Sequence, residues 1–126
     1  KLVEGMVDLG LLEGEVDGLI ESEAYRRYYM HGTSHWLGLD VHDVGAYVTR
    51  DAGGEARPRP LEPGMAYTIE PGIYVARDDS EAPESFRGIG IRIEDDVVIT
   101  ENGVLNLNRD IPKSVADIEA WVREGS

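Results

Sequence analysis

The sequence predicts an α+β fold, and three observations lead to that class. Apolar residues recur at helical spacing near both ends of the chain, whereas the region between them holds short stretches with the alternation of β-strands. Helices and strands are therefore grouped along the chain, an order that favours an α+β sheet over a wound parallel one. With 126 residues, of which 41% are hydrophobic, the chain is long and apolar enough to form a globular unit.

Three segments carry the helical spacing. Between Leu2 and Leu12 apolar side chains recur every three or four residues, and Gly10 is typical of a helix end. A second, short helix is predicted over Glu15 to Glu23. The third is predicted over Ser114 to Arg123, because Ser114 suits the N-cap position. Its apolar face, which we expect to point inward, consists of Val115, Ile118, Trp121 and Val122.

Turns, loops and strands fill the middle of the chain. The segment from Met30 to Val48 mixes glycines, short apolar pieces and all three histidines, and it is predicted as a region of turns and strands. Arg50 to Pro63 is polar and rich in glycine and proline, so we predict a loop there. Strands are predicted over Met65 to Glu70 and Ile73 to Ala76, because the Pro71-Gly72 pair between them is typical of a turn.

Strict alternation marks the segment from Gly88 to Glu94 as a strand with two unlike faces. One face holds three isoleucines. The other combines two glycines with the charged side chains of Arg92 and Glu94, and we expect this second face to be open to a ligand. A hairpin is predicted at Asn102-Gly103, which separates two further apolar strands.

Composition and charge exclude several classes of function. Twelve Lys and Arg against 25 Asp and Glu give a formal net charge of −13, without the clustered cations that bind nucleic-acid phosphates. No apolar run approaches the length of about 20 residues that crosses a bilayer, and the start lacks the pattern of a signal peptide. We therefore expect no membrane partner and a cytoplasmic location. The absence of cysteine excludes disulfides and thiolate chemistry.

The three histidines, His31, His35 and His42, are clustered between positions 31 and 42. A single histidine is more often a packed core or surface residue than a functional one. Three together, among glycines that let a ligand approach the backbone, point to a metal or proton-transfer site.

Two carboxylates on predicted strands can complete such a site. Glu70 ends an apolar strand, and Pro71 restricts its backbone to extended geometry, although a solvated strand-end acid would show the same pattern. Glu94 shares a strand face with Arg92, and an exposed ion pair is the simpler interpretation there. Combined with one histidine, the two glutamates form a mixed nitrogen and oxygen donor set, which suits manganese, cobalt, zinc or iron(II).

Three motifs in the sequence resemble one known family. They are HGTSHWLGLDVHDVG at 31–45, LEPGMAYTIEPGIYV at 61–75 and RGIGIRIEDDVVITENG at 87–103. These motifs are similar to the carboxyl-terminal part of the Xaa-Pro aminopeptidases, the aminopeptidase P branch of the pita-bread metallopeptidases. The resemblance implies the second half of a pita-bread (creatinase/aminopeptidase) catalytic domain, with a curved, mostly antiparallel sheet and helices on one face.

The resemblance also implies a metal site. The family's dinuclear site uses two aspartates, one histidine and two glutamates, and the last three correspond here to His35, Glu70 and Glu94. The implied cofactor is a pair of divalent ions in the intact enzyme, with manganese first and cobalt or zinc as alternatives.

Further roles are implied for single residues. Glu70 is implied as the general base that relays a proton to the proline nitrogen, and His42 as a catalytic donor to the oxyanion that develops on the substrate. His31, His42 and Arg92 are implied as substrate-binding residues, Arg92 by ordering the site beside the bridging glutamate.

The family's two aspartates belong to an earlier segment, which has no counterpart in this sequence. We interpret residues 1–126 as the carboxyl-terminal half of the catalytic domain, with the amino-terminal domain and the first catalytic half absent. The chain alone is therefore expected to be inactive. The expected partners are a peptide with a Xaa-Pro amino terminus and the missing upstream half, and a homo-oligomer is compatible with the sequence.

The implied reaction is removal of the amino-terminal residue from peptides with proline in second position, and two alternatives stay open. A Xaa-Pro dipeptidase (prolidase), or less readily a methionine aminopeptidase, shares the three metal ligands and differs at the substrate entrance. A non-catalytic peptide-binding module of the same fold is the other alternative, although the three ligand residues are present here. The run SHWLGLDVHD favours the aminopeptidase.

Overall fold

The computed structural model describes residues 1–125, which form helices, short 3-10 turns and antiparallel strands. The α-helices are α1 (Leu2–Asp8), α2 (Val16–Glu21) and α3 (Val115–Glu124). The strands are β1 (Val48–Arg50), β2 (Ala56–Pro58), β3 (Ala66–Ile69), β4 (Gly72–Tyr74), β5 (Gly90–Arg92), β6 (Asp95–Thr100) and β7 (Gly103–Asn106). All strand pairs in this part of the chain are antiparallel, which confirms the predicted α+β class.

The chain folds into two compact units. Unit 1 comprises Lys1–Thr33 and Glu70–Ile93, and unit 2 comprises Ser34–Ile69 and the residues from Glu94 onward. Each unit thus combines segments that are far apart in the sequence. None of the helices in the described part of the chain has the length and hydropathy of a membrane span.

Unit 1 has a hydrophobic core of its own. The apolar spacing of α1 buries Met6 completely, and strands β4 and β5 pair so that Gly72 lies opposite Arg92 and Tyr74 opposite Gly90. The isoleucine face of these strands and α1 together line an apolar cavity of about 390 Å³. The buried members of the core are Met6, Leu11, Tyr28, Tyr29, Val75 and Ala82.

An acidic loop after β4 forms ion pairs with the 3-10 turn Ala24–Arg27. Arg27 donates hydrogen bonds to the carboxylates of Asp79 and Glu81, and Asp79 also accepts the backbone N–H groups of Glu81 and Ala82. The hydrogen bonds from Arg27 lower the pKa of Asp79, and the two backbone donors act in the same direction while burial opposes them. The loop is thereby held by a charge-assisted contact.

Unit 2 is organised around a three-stranded sheet in the order β3-β6-β7. In the β3–β6 ladder Ile69 lies opposite Asp95, and Val97 and Thr68 of these strands are buried together with Met65. The short hairpin β1–β2 forms a second, separate sheet. This unit therefore contains fewer buried side chains than unit 1.

The three predicted helices are present but differ in length from the predictions. Helix α1 ends at Asp8, and Gly10 has a left-handed φ of +68°, as expected for a glycine at a helix end. Helix α2 ends at Glu21 and is followed by the 3-10 turn rather than by a further α-helical turn. The N-cap prediction for α3 is confirmed, since Ser114 Oγ accepts the N–H of Asp117.

One loop prediction was wrong, and one hairpin prediction was confirmed with a small shift. The predicted loop Arg50 to Pro63 contains the β1–β2 hairpin, because Asp51 Oδ1 accepts the N–H groups of Gly53 and Glu55 and closes the turn. The predicted β6–β7 hairpin is confirmed, although its turn lies one residue earlier, at Glu101 and Asn102, because Gly103 already pairs with Thr100.

The inward face predicted for α3 was also wrong. All four of its apolar residues are exposed, and Val115 retains 76% of its accessible surface. Helical spacing predicts that a helix is amphipathic, but burial also requires a surface that covers the apolar side. Within the described residues that surface is missing, so the apolar face of α3 lies open.

Candidate active site

Glu70 follows β3 directly and lies in unit 1, where its side chain is buried. Its backbone N–H donates to the carbonyl oxygen of Thr33 over 2.7 Å. Arg92, at the end of β5, donates from Nη1 to Glu70 Oε2 over 2.9 Å. A buried carboxylate that receives a guanidinium donor has a fixed orientation, so the backbone and Arg92 together aim the Glu70 side chain.

Tyr74 links Arg92 to the first of the three histidines. Arg92 Nε donates to the Tyr74 hydroxyl over 2.6 Å, and His31 Nε2 lies 2.9 Å from the same oxygen. His31 Nδ1 donates to the carbonyl oxygen of Gly32 over 2.6 Å, and the Tyr29 ring meets the imidazole edge to face. Unit 1 thus brings together three predicted site residues, His31, Arg92 and Glu70, through Tyr74, which the sequence analysis did not single out.

The strand face that we expected to be open to a ligand stays exposed at Gly90 and Arg92, although the Tyr74 ring occupies part of it. Gly72, Gly90 and Arg92 lie on one face of the β4–β5 ladder, and the Tyr74 ring lies across the two glycines of that face. Aligning the two strands as an antiparallel pair could have predicted this contact, because Tyr74 lies opposite Gly90. The two glycines therefore make room for the aromatic side chain.

His35 lies in unit 2 on the segment that runs beside β3. Its backbone N–H donates to Thr68 Oγ1 over 3.1 Å, and the backbone N–H of Thr68 donates to the His35 carbonyl oxygen over 3.0 Å. Because the Trp36 carbonyl oxygen lies 2.9 Å from His35 Nδ1 and can only accept, that nitrogen carries a proton, and in the neutral imidazole the lone pair is on Nε2. A backbone carbonyl that fixes the tautomer in this way is typical of histidines that bind metals through Nε2.

His42 lies beside His35, with the ring centroids 4.3 Å apart and the planes at 70°. The intervening loop is closed by Asp43, whose N–H donates to the Trp36 carbonyl oxygen and whose Oδ2 accepts the N–H of Leu39. Gly38 leaves room in this loop for the Asp43 carboxylate, which a Cβ at this position would displace. Unit 2 thus brings together His35 and His42, as the sequence predicted for one site.

A small cavity of about 240 Å³ adjoins His35 in unit 2. Trp36, Tyr47 and Tyr67 form aromatic walls, and the Arg59 guanidinium lies over the Trp36 ring at 5.6 Å from its centroid. Sequence reasoning assigned no role to Arg59, and no motif in the sequence would have singled it out.

Three described side chains that the sequence predicted as metal ligands, His35, Glu70 and Glu94, are of types that can ligate a metal ion. His35 is half-buried, Glu70 is buried and Glu94 is exposed. They offer one imidazole nitrogen and two carboxylate oxygens, a donor set that fits manganese, cobalt or zinc and does not favour a metal that prefers sulfur.

Comparison with known proteins now identifies the family. Residues 2–101 match the sequence profile of metallopeptidase family M24. The chain belongs to this family. The match covers most of the sequence and confirms the resemblance that the three motifs indicated.

The relatives of this M24 chain carry consistent names. It is 57% identical over 119 residues to the Xaa-Pro aminopeptidase of Escherichia coli K12, which covers 94% of the chain and 25% of that protein. It is 48% identical over 122 residues to human Xaa-Pro aminopeptidase 3, covering 94% of the chain and 22% of that protein. The chain thus spans about a quarter of the length of the curated relatives that it matches.

Solved structures support the same fold. The M24 chain superposes on Pseudomonas aeruginosa aminopeptidase PepP with a TM-score of 0.85 and 56% sequence identity, covering 97% of the chain and 26% of that structure. A zinc-substituted E. coli aminopeptidase P in complex with product superposes with a TM-score of 0.84 at 52% identity, covering 99% of the chain and 27% of that structure. The predicted fold, part of a pita-bread metallopeptidase domain, is therefore confirmed.

Proposed function

We propose that the protein containing this chain is a metal-dependent Xaa-Pro aminopeptidase, which removes the amino-terminal residue from peptides with proline in second position. Family membership and the shared name of its relatives support this proposal. We further propose that residues 1–126 form the carboxyl-terminal half of the catalytic domain, in agreement with the quarter of each relative that they cover.

We propose His35, Glu70 and Glu94 as metal ligands. The observation that carries this proposal is the match of residues 2–101 to metallopeptidase family M24, together with the resemblance of the motifs in which the three residues lie. Within unit 2 the Trp36 carbonyl oxygen orients the His35 ring, and within unit 1 Arg92 orients the Glu70 carboxylate.

The proposed cofactor is a pair of divalent ions in the intact enzyme, manganese first, with cobalt or zinc as alternatives. The nitrogen and oxygen donors fit these ions, and one relative is described as zinc-substituted. When bound, such ions supply Lewis acidity and lower the pKa of a water molecule.

The chain's own residues would share the proton transfers and the positioning of the substrate. Glu70 accepts a proton from the attacking water and passes it to the proline nitrogen that leaves, a role that suits a buried carboxylate oriented by Arg92. His42 donates to the carbonyl oxygen of the scissile bond, where negative charge develops. His31 and Arg92 hold the substrate side of the site.

The proposed partners are a peptide substrate with a Xaa-Pro amino terminus and the upstream half of the catalytic domain. A homo-oligomer and a cytoplasmic location stay predictions, and the net charge of −13 disfavours nucleic acid as a partner.

The test uses the full-length protein, stripped of metal by a chelator and then reloaded with manganese. We expect release of the first residue from an Xaa-Pro tripeptide, no release from the matched Xaa-Ala tripeptide, and no release by the stripped protein. Preference for an Xaa-Pro dipeptide would make the protein a prolidase. Metal binding and peptide binding without hydrolysis would make it a binding module, and both results contradict the proposal.

The isolated chain provides a second test. We expect residues 1–126 with excess manganese to show no appreciable hydrolysis, because one histidine and two glutamates are too few protein ligands for two ions. Activity should appear when the separately expressed upstream segment is added. Robust hydrolysis by the chain alone would contradict the ligand assignment.

A further inference from the structure

One arginine joins two parts of unit 1 that lie far apart in the sequence. Arg27 ends the 3-10 turn Ala24–Arg27, and its partners Asp79 and Glu81 lie 52 and 54 positions later, in the loop after β4. Arg27 Nε donates to Asp79 Oδ2 over 3.0 Å, while Nη2 donates to the other oxygen of that carboxylate and Nη1 donates to Glu81. The guanidinium thus binds Asp79 with two parallel hydrogen bonds, the strongest geometry for such a pair. We call these three residues the clasp.

The loop side of the clasp is held by backbone hydrogen bonds and by the core. The Asp79 side chain is only 8% exposed, and its Oδ1 also accepts the backbone N–H groups of Glu81 and Ala82 over 3.0 and 3.1 Å. Ala82 belongs to the hydrophobic core, and its carbonyl oxygen accepts a hydrogen bond from Arg87 Nε over 3.0 Å. An ion pair between two mobile side chains contributes little, because both must be ordered first. Asp79 is already ordered by its own loop, so it provides a fixed anchor.

The turn that carries Arg27 has little structure of its own. It is four residues long, it has no side-chain cap, and it follows Glu23, whose φ of +55° lies in the left-handed region that favours glycine. A 3-10 turn of this length has few internal hydrogen bonds, so its position depends on contacts with the rest of the unit. One such contact is the buried ring of Tyr28, which lies 5.4 Å from the Arg27 guanidinium. The other is the clasp.

The histidine segment, which we define as residues 28–33, begins directly after the clasp. Its first carbonyl oxygen, that of Tyr28, accepts the N–H of Tyr74 in β4 over 2.8 Å. Its last, that of Thr33, accepts the N–H of Glu70 over 2.7 Å. The segment is therefore attached at both ends to residues in or next to β4, and the clasp adds a charged contact at the first end.

Aromatic contacts extend this placement to His31. The Tyr29 ring meets the imidazole edge to face, with the ring centroids 4.9 Å apart, and the Tyr29 hydroxyl lies 2.5 Å from Thr33 Oγ1. Tyr29 is itself buried in the core of unit 1, so its ring position follows from how the start of the segment packs. Release of Arg27 would loosen that start, and the ring that orients His31 would shift with it.

We propose that Arg27 is a positioning residue, which joins the histidine segment to the loop after β4 and thereby sets where His31 lies. This inference rests on the proposed function, in which His31 holds the substrate side of the site. Arg27 acts through the segment that follows it. Its substitution should therefore weaken substrate binding without removing a catalytic group.

The first test compares Arg27→Gln with the wild type in the full-length, manganese-loaded protein. We expect KM for an Xaa-Pro tripeptide to rise about three- to tenfold while kcat changes less than about twofold, because the loss affects binding of the ground state and the transition state alike. Arg27→Lys keeps the charge but not the two parallel hydrogen bonds, so it should recover only part of the wild-type KM. Arg26→Gln is the matched control, since Arg26 lies in the same turn but pairs with Glu23, three positions before it. It should leave both constants unchanged.

Two further measurements test whether the carboxylates act together with Arg27. In a double-mutant cycle, Asp79→Asn should raise KM in the wild type but add little in the Arg27→Gln background, because the two residues act as a unit. Asparagine keeps an oxygen for the two backbone N–H groups, so the loop itself should persist. Sodium chloride should likewise raise KM more in the wild type than in Arg27→Gln, since salt screens the ion pairs. Independent effects of the two substitutions would overturn the inference.

A readout without turnover comes from NMR of the Tyr74 amide, which donates to the Tyr28 carbonyl oxygen, and of the His31 ring nitrogens. In Arg27→Gln the amide should exchange faster and the ring resonances should shift, whereas Arg26→Gln should leave both in place. This measurement holds even if the wild type proves not to be an aminopeptidase, so failure of the function and failure of this inference are distinguishable. Unchanged amide exchange and ring resonances, an unchanged KM, or an equal rise of KM in Arg26→Gln would each overturn it.

Discussion

The two units hold their site residues in different ways. In unit 1, which has a hydrophobic core of its own, the predicted residues His31, Arg92 and Glu70 are joined by hydrogen bonds through Tyr74. In unit 2 His42 is exposed, and no hydrogen bond of its side chain is present among the described residues. Large apolar side chains around it are exposed as well, including Leu39 and Val44, which retain 103% and 93% of their accessible surface.

This difference predicts how substitutions act in each unit. In unit 1 they should also displace the neighbouring side chains, whereas in unit 2 they should mainly remove one chemical group. A side chain held by several partners cannot change without moving its neighbours, whereas an exposed one can be removed with little rearrangement. The five predictions below test the contrast, beginning with the largest expected effect.

Glu70→Gln should have the largest effect on activity. The substitution keeps the shape of the side chain and an oxygen that can accept from Arg92, but it removes the charge and the proton-accepting group. We expect kcat to fall on the order of 10²- to 10⁴-fold in the full-length protein, as for loss of a general base. Glu101→Gln, in the exposed β6–β7 turn, is the control. Near-normal turnover with full metal content would remove Glu70 from the base role.

Met6→Ala should produce the largest loss of stability. Met6 is fully buried in the core of unit 1, so its truncation leaves a cavity and should cost about 2–5 kcal/mol. Val104→Ala in unit 2 is the matched control, because Val104 is 60% exposed and should cost less than about 0.5 kcal/mol. Hydrogen exchange of the amides in each unit measures both. Equal losses would mean that the exposed side chains of unit 2 are covered in solution.

His42→Ala should slow catalysis without loss of metal. His42 is exposed and its removal leaves the His35 hydrogen bonds to Thr68 and Trp36 intact, so the metal content should stay unchanged. We expect kcat to fall about 10- to 100-fold, as for loss of one donor to the oxyanion. Elemental analysis beside the kinetic assay checks this, and His35→Ala should instead lose metal. Loss of metal in His42→Ala would mean that His42 is the metal ligand and His35 the donor to the oxyanion.

The sequence predicted the residues of the site better than their contacts. The clustering of the histidines and the strand-end position of Glu70 could be predicted, because both follow from residue type and spacing along the sequence. The contacts of Tyr74 with Arg92 and His31 were missed because they depend on how strands β4 and β5 pair. Tyr74 lies opposite Gly90, which is 16 positions away in the sequence. Cross-strand pairs become readable only when the register is known.

The fold shows the same limit. The N-cap of α3 is a local hydrogen bond and was predicted correctly, whereas the burial of its apolar face depends on a surface that local spacing cannot specify. The β1–β2 hairpin was missed for a related reason. Glycine and proline indicate where the chain turns, but pairing of Thr49 with Arg57 also depends on the distance between the two segments.

Asp79→Asn should have a smaller effect, seen in how the stability of unit 1 depends on pH. Because contact with Arg27 lowers the pKa of Asp79 in the folded protein, this carboxylate stabilises unit 1 at pH values above its unfolded pKa of about 4. The stabilisation is lost as the pH falls through the lower pKa of the folded state. We expect Asp79→Asn to be less stable than the wild type at neutral pH and to show a flatter loss of stability below about pH 4. Identical pH dependence in both proteins would contradict the contact.

Ser114→Ala should have the smallest effect, and it tests unit 2 where it is least covered. Ser114 Oγ accepts the N–H of Asp117 over 3.2 Å and donates to its Oδ2 over 2.6 Å, so alanine removes both hydrogen bonds at the start of α3. Loss of an N-cap costs about 1 kcal/mol, and since the apolar face of α3 is exposed, few tertiary contacts stabilise the helix against this loss. We expect faster hydrogen exchange in the first turn of α3 and no change in unit 1. Ser114→Thr keeps a capping hydroxyl and should restore most of the protection. If Ser114→Ala leaves the exchange of α3 unchanged, the helix is stabilised by a surface outside the described residues, and the contrast between the units is smaller than the exposed side chains suggest.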